Sequence, residues 1–463
     1  MKHSRLIVAT FICSLFAGSS FSQNADSVML ARFFSTALKQ DRAYNDLHDI
    51  CKQCGARLSG SEGAQKAVEL VKNILLREHA DSVWLQPVMV PHWVRGEKEQ
   101  ARIISKSLKM NTEVPVCALG GSIATPAQGI TAGVVEVSGM GELKNMNPAD
   151  IQGKIVFYNG AFDQSLAETF DAYSLAVKQR WGGAMEAAPY GAVGVVIRSM
   201  AQHIDEWPHT GSMGYADSIT KIPEVAISTR AANQLDESLK SDKDLKFFFK
   251  SSCQTLPDAP SFNVIGELKG AEHPGEVIVI GGHLDSWDLS ESAQDDGAGV
   301  VQAIEVLRLF KTLGIRPKKT IRVVAFMNEE NGGRGGEKFG EWAKTSGEKY
   351  LAGIESDAGG FTPRGFSMDV SDALRAYIIL KWKPLLDEFG IGELNKTGAG
   401  ADVGPLKGTA LMTAELHPDP QRYFDFHHTG HDTWENCNDR ELEEGAAALA
   451  SFVYLIDKYG LGQ

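Results

Sequence analysis

Three short apolar runs of this chain, "EVIVIGGHLD", "TIRVVAFMNEE" and "LAGIESDAGG", each end in carboxylates or histidine. Helical spacing separates the first two, with Val300, Ile304 and Leu307 recurring after a Gly at 297. Strand, helix and strand in alternation predict an α/β fold with a mainly parallel, mixed sheet and helices on both faces. In such sheets, ligands bind outside the carboxyl ends of the strands. Three strands that end this way therefore deliver His283, Asp285, Glu329, Glu330, Glu355 and Asp357 to one edge.

Two further stretches belong with that edge. "AQDDGAG" places Asp295 and Asp296 just before a helix, and "FDFHHTGHDTWEN" brings His427, His428 and His431 on a segment with no regular period. A single histidine, or the Glu329-Glu330 pair alone, is more often ordinary surface or core. The joint arrangement has no common structural explanation. Burying unpaired carboxylates costs several kcal/mol each, and a bound cation offsets that. Imidazole and carboxylate together suit zinc. Two His, a bridging Asp and two further acids can hold two zinc ions roughly 3.5–4 Å apart, with one Glu left off the metals as general base. Adjacent glutamates at a strand end can divide those two jobs, since neighbouring side chains point in different directions.

The rest of the chain reads differently. Residues 27–80 look helical, with amphipathic runs at Val28–Leu38 and Ala64–Leu76 around the turn "GARLSGSEG". Between 120 and 256, short β-rich pieces such as "AGVVEV", "GKIVFYNG", "GAVGVVI" and "IPEVAIS" predict a separate, smaller unit with a binding or shielding role. The opening "MKHSRLIVATFICSLFAGSSFSQ" has a basic start and a short apolar run, which predicts a secretory signal peptide over 1–22, cleaved after Ser22. That implies a secreted or periplasmic protein, not inserted in the membrane after cleavage. With 46 Lys and Arg against 59 Asp and Glu, the net charge of −13 argues against nucleic acid and anionic membranes as partners. Beyond the leader there remain Cys51, Cys54, Cys117, Cys253 and Cys437, an odd number, and "CKQCG" lacks the βαβ surroundings of a redox motif.

Taken together, "GARLSGSEGAQKAVE", "NVIGELKG", "GGHLDSWD", "DDGAG", "NEENGGRGG", "ESDAGG" and "FHHTGHDT" resemble the M28 zinc metallopeptidases over nearly the whole mature chain. The resemblance implies a catalytic unit in two pieces, 23–119 and 257–463, with a protease-associated domain at 120–256 inserted between them. It implies two zinc ions. His283 and Asp357 would bind one, Glu330 and His428 the other, and Asp295 would bridge them. Glu329 would be the general base, and Asp285 would accept the other ring N–H of His283. A cis peptide between Asp295 and Asp296 and a homodimer are also implied. The expected activity is exopeptidase cleavage of short peptides, in particular dipeptides with free termini, by carboxypeptidase or aminopeptidase action. Two relatives within the fold offer rival readings, a single-zinc glutaminyl cyclase and a non-catalytic receptor-like binding protein. The bridging-type Asp295 together with His283 and Asp357 speaks against the first; receptor-like relatives lose metal ligands or the base, whereas every expected position is filled here. Tyr423, His427 and His431 receive no role.

Overall fold

The computed structural model describes residues 25–461, so the expected leader at 1–22 lies outside the described residues. Two sheets organise the chain. The first has seven strands in the order β1-β10-β12-β11-β13-β15-β14. These are β1 (Ser82–Val94), β10 (Gln254–Leu268), β11 (His273–His283), β12 (Lys319–Phe326), β13 (Lys349–Glu355), β14 (Pro363–Asp369) and β15 (Met412–Pro418). The second, with order β3-β2-β9-β5-β6-β7-β8-β4, comprises β2 (Gln100–Ser105), β3 (Met110–Glu113), β4 (Val116–Ala118), β5 (Ile130–Val137), β6 (Ile155–Tyr158), β7 (Gly194–Arg198), β8 (Glu224–Ile227) and β9 (Lys246–Lys250).

The first sheet is parallel only at its centre. β12, β11, β13 and β15 run parallel to one another, while β1, β10 and β14 pair antiparallel at the flanks. The sequence shows the central strands best because they are buried on both faces and read as continuous apolar runs. Along β11, Ile278 and Ile280 face a core shared with the helix over residues 25–40 (α1), α2 (Arg42–Cys54), α3 (Glu62–Arg77), α7 (Ala298–Thr312) and α10 (Asp439–Tyr459). Val277 and Val279 face the opposite core, against Phe339 and Ala343 of α8 (Arg334–Thr345). Helices therefore cover both faces, as the pattern predicts. Two amphipathic runs of the sequence are α1 and α3. The second begins at Ser61, whose hydroxyl accepts from Ala64 N at 3.1 Å, a capping bond that stops the preceding turn.

The second sheet starts earlier than the composition suggests. Strands β2, β3 and β4 precede residue 120 and nevertheless belong to it, so the boundary expected at 119/120 falls inside the sheet. Their residues are short and half-polar, and nothing local separates them from the β1 segment before them. Helices α5 (Thr169–Ala187) and α6 (Thr229–Ser241) pack on its strands, and a single turn, α4 (Pro148–Ile151), precedes β6. This unit is not closed on itself. One of its cores takes in Phe361, Tyr423 and Phe424, and the other takes in Leu58, Trp93 and Trp287. Trp93 stands near the end of β1 and the others lie outside the strands, around the carboxyl edge of the first sheet, so the two sheets are joined where the acids and histidines collect. All five cysteines among the described residues are buried and unpaired. No helix among the described residues is long and apolar enough to cross a membrane.

Candidate active site

The register of the first sheet explains why the predicted residues meet. His283 is the last residue of β11 and lies opposite Phe326, the last of β12; Glu355 ends β13 opposite Gly281. Loops leaving these three ends carry Glu329, Glu330 and Asp357 to the same spot. The two glycines before His283 are required by close approach. A Cβ on Gly281 would lie 2.2 Å from the Val324 carbonyl oxygen, and one on Gly282 would lie 2.2 Å from the Asp296 carboxylate. Gly299 leaves room for the same carboxylate from the other side. Asp296 thus fills a slot between two glycines. It accepts His283 N at 3.0 Å and Gly299 N at 2.9 Å, tying the end of β11 to the start of α7.

At the centre is Asp295, only 4% exposed. Its Oδ1 is 3.2 Å from His283 Nε2, and its Oδ2 is 3.2 Å from His428 Nε2. His283 Nε2 is also 3.3 Å from Asp357 Oδ1, and His428 Nε2 is 3.1 Å from Glu330 Oε2. One carboxylate therefore stands between two imidazole–carboxylate pairs. Asp295 is joined to Asp296 by a cis peptide, as the resemblance implies. Asp432 fixes its backbone, accepting Gln294 N at 2.8 Å and Asp295 N at 3.1 Å. Nothing in the sequence singles out Asp432, since an aspartate four residues after a histidine carries no local signal.

Asp285 departs from its expected role. The ring Nδ1 of His283 is 2.9 Å from the backbone carbonyl of Asp285, while the carboxylate is 4.0 Å away. That carboxylate turns instead to the next strand, where Oδ1 accepts Asn328 N at 2.6 Å and Glu329 N at 3.1 Å. The sequence reading could not distinguish a side-chain from a main-chain acceptor two residues on. Asn328 has φ 78° and His428 φ 62°, left-handed conformations uncommon outside glycine, and both flank the cluster. The Glu329 side chain makes no hydrogen bond or ion pair among the described residues, and it is half-buried.

The electrostatics call for a cation. Burial raises Glu330 to about 7, lifts Asp296 and Glu329 well above the usual carboxylate range, and raises Asp357 from its ordinary value. Burial also opposes ionisation of Asp295, yet the imidazoles of His283 and His428 hold it well below that range. Burial disfavours the charged form of His428, but Glu330 and Asp295 overcome it and lift the imidazole to about 10. Such a field also draws in a dication. Asp295 Oδ2 and Asp357 Oδ1 are buried and have no hydrogen-bond partner. Donor atoms within 4.8 Å of one another come from His283, Asp295 and Glu330, from His283, Asp296 and Asp357, and from Asp295, His427 and His428. The nitrogen and oxygen donors fit zinc. Asp296 is the exception, since backbone amides already occupy both its oxygens.

A strand-end cluster of this composition, in a mixed α/β sheet, defines the class of metal-dependent hydrolases that work through imidazole and carboxylate ligands. Residues 263–453 match the model of "Peptidase family M28". Carboxypeptidase Q of Bos taurus is 35% identical over 417 residues, 90% of this chain and 85% of that protein. Carboxypeptidase Q of Homo sapiens is 34% identical over 90% of this chain and 85% of its own length. The crystal structure of a peptidase M28 precursor from Shewanella amazonensis superposes with a TM-score of 0.89 at 32% identity, covering 95% of this chain and 99% of that one. BSAP, a zinc aminopeptidase from Bacillus subtilis, shares the fold at a TM-score of 0.62 and 20% identity, over 89% of this chain and 94% of its own. The chain belongs to peptidase family M28, whose members are zinc peptidases, and membership implies zinc at this cluster.

Proposed function

We propose that this protein is a di-zinc exopeptidase, secreted or periplasmic, which hydrolyses short peptides and above all dipeptides with free termini. The observation that carries the reading is the position of Asp295, with one oxygen toward His283 and the other toward His428. His283 and Asp357 would hold one zinc, Glu330 and His428 the other, with Asp295 shared. The protease-associated role assigned to 120–256 belongs to this reading, as does removal of residues 1–22. Likeness to carboxypeptidase Q over 85% of that protein's length supports carboxypeptidase or dipeptidase action; the aminopeptidase alternative rests on the Bacillus subtilis relatives.

Zinc held there supplies polarisation of the scissile carbonyl and a water that ionises near neutral pH. Glu329, with no internal partner, takes a proton from the attacking water as its oxygen bonds to the carbonyl carbon. It then returns that proton to the amine as the C–N bond breaks. The Asp285 carboxylate holds the Glu329 amide and so fixes the base against the strand end. Asp432 and Asp296 hold the backbone on either side of the shared acid.

Chelation should abolish hydrolysis of unblocked dipeptides, and added zinc should restore it. Acetylated, amidated peptides cut at internal bonds would contradict the exopeptidase reading.

A further inference from the structure

The turn "GARLSGSEG" between α2 and α3 supplies no ligand, yet it reaches both loops that carry the ligands. It is closed at each end. Gly55 N donates to the Cys51 carbonyl at 3.0 Å as α2 stops, and Ser61 N donates to the Leu58 carbonyl at 3.0 Å before α3 begins. Arg57 and Ser59 within it are fully buried.

Arg57 gives its guanidinium to one loop, residues 284–292, which joins His283 to Asp295. Nε donates to the Leu284 carbonyl at 2.8 Å, Nη2 to the Ser292 carbonyl at 3.0 Å, and Nη1 to the Glu291 carbonyl. The backbones are stitched as well, Arg57 N donating to Ser286 Oγ at 3.0 Å and Ser286 N to the Arg57 carbonyl at 3.3 Å. A buried guanidinium is costly without partners, and its rigid fork is satisfied here only by one path of this loop. Ser292 shows why the loop needs holding. Its φ is 47°, a left-handed conformation uncommon for serine, three residues before Asp295. Arg57 takes its carbonyl, and the Asp432 carbonyl accepts its amide at 2.9 Å.

The other loop repeats the device. Asn328, with φ 78°, immediately precedes Glu329. Its Nδ2 donates to Ser59 Oγ at 3.0 Å and to Asn331 Oδ1, while Ser59 Oγ donates to Asn331 Oδ1 at 2.8 Å. Gly332 leaves room for that amide, since a Cβ there would lie 2.1 Å from Asn328 Oδ1. Each ligand-bearing loop thus contains a strained, non-glycine residue, and each is gripped by the same turn. Resting on the di-zinc reading above, we propose that Arg57 and Ser59 are positioning residues of one brace. Arg57 places the shared Asp295, and Ser59 places Glu329 and Glu330. Because the turn between them is closed at both ends, the brace fixes the two loops relative to each other.

The test compares wild type with Arg57→Gln, Arg57→Lys and Ser59→Ala. Zinc affinity is measured by competition with a chelator, kcat and KM on one dipeptide, and thermal unfolding on metal-free protein. Arg57→Gln should weaken zinc binding roughly 10–10²-fold, as loss of a group behind a ligand does, and regain activity in excess zinc. Arg57→Lys keeps the charge but not the fork, so its zinc binding should weaken too, by less. Ser59→Ala should keep its zinc and lose roughly 10–10²-fold in kcat with KM unchanged, because a misplaced base slows chemistry and not binding. Lower melting of every variant, with wild-type zinc affinity and wild-type kcat per folded chain, would overturn the proposal and leave the turn a prop of the fold. Zinc lost from Ser59→Ala and kept by Arg57→Gln would overturn it as well. If Arg57→Gln does not fold, Arg57→Lys and Ser59→Ala decide by the same readings. Wild type saturated by one zinc would remove the di-zinc reading, whereas the affinity of the arginine variants for that ion would still decide the brace.

Discussion

Glu329→Gln is expected to keep its zinc and lose nearly all turnover. The amide matches the carboxylate in size and leaves the Asp285 bond to the 329 backbone in place, but it cannot accept a proton from water. General-base contributions run to roughly 10²–10⁴-fold, and a base that also orients the water sits at the upper end. KM should change little, since the side chain is argued to act on water and not on the peptide. The neighbouring substitution separates the roles. Glu330 Oε2 is 3.1 Å from His428 Nε2, so Glu330→Gln should weaken metal binding and regain activity in excess zinc. Metal analysis with kcat on one dipeptide decides the matter. Zinc lost from Glu329→Gln and kept by Glu330→Gln would reverse the assignment, and a fully active Glu329→Gln would remove Glu329 from the mechanism.

Asp295→Ala should empty both metal positions together, because its two oxygens serve the two imidazoles separately. Activity should fall below detection. Stability should fall too, since a ligand present at about 100 times its Kd contributes about 2.7 kcal/mol to the folded state. Without the metals, the buried acids beside His283 and His428 would also repel one another. Thermal unfolding with and without zinc measures this. Wild type should melt higher in zinc, and Asp295→Ala should show little response. His428→Ala should lose only the position shared with Glu330. Asp295→Ala that still binds one ion as tightly as wild type would show that the carboxylate does not bridge.

The catalytic edge was legible in the sequence because its elements speak locally. Each central strand is a short apolar run, each ends in an ionisable residue, and parallel register alone brings His283, Glu329, Glu330 and Asp357 together. Asp295 and His428 were legible through their motif context. Other parts depend on distant contacts and were not. The antiparallel flanks of the first sheet come from β1 and β10, which read like any other strand. Strands β2 to β4 precede the expected boundary, because which sheet a short half-polar strand joins is set by its partner. Asp285 lies where the spacing put it, but its carboxylate found two amides of the next strand end, and the histidine took its carbonyl instead. The approach of Arg180 Nη1 to His428 Nδ1, 3.4 Å apart across 248 residues of sequence, had no local signal at all.

The most direct measurement of the central claim is the zinc content of the purified wild-type chain, by elemental analysis and by titration of the metal-free protein while following dipeptide hydrolysis. Asp295 between His283 and His428 predicts two zinc ions per chain, with full activity reached only at the second equivalent. Saturation and full activity at one ion per chain would contradict the shared-carboxylate site.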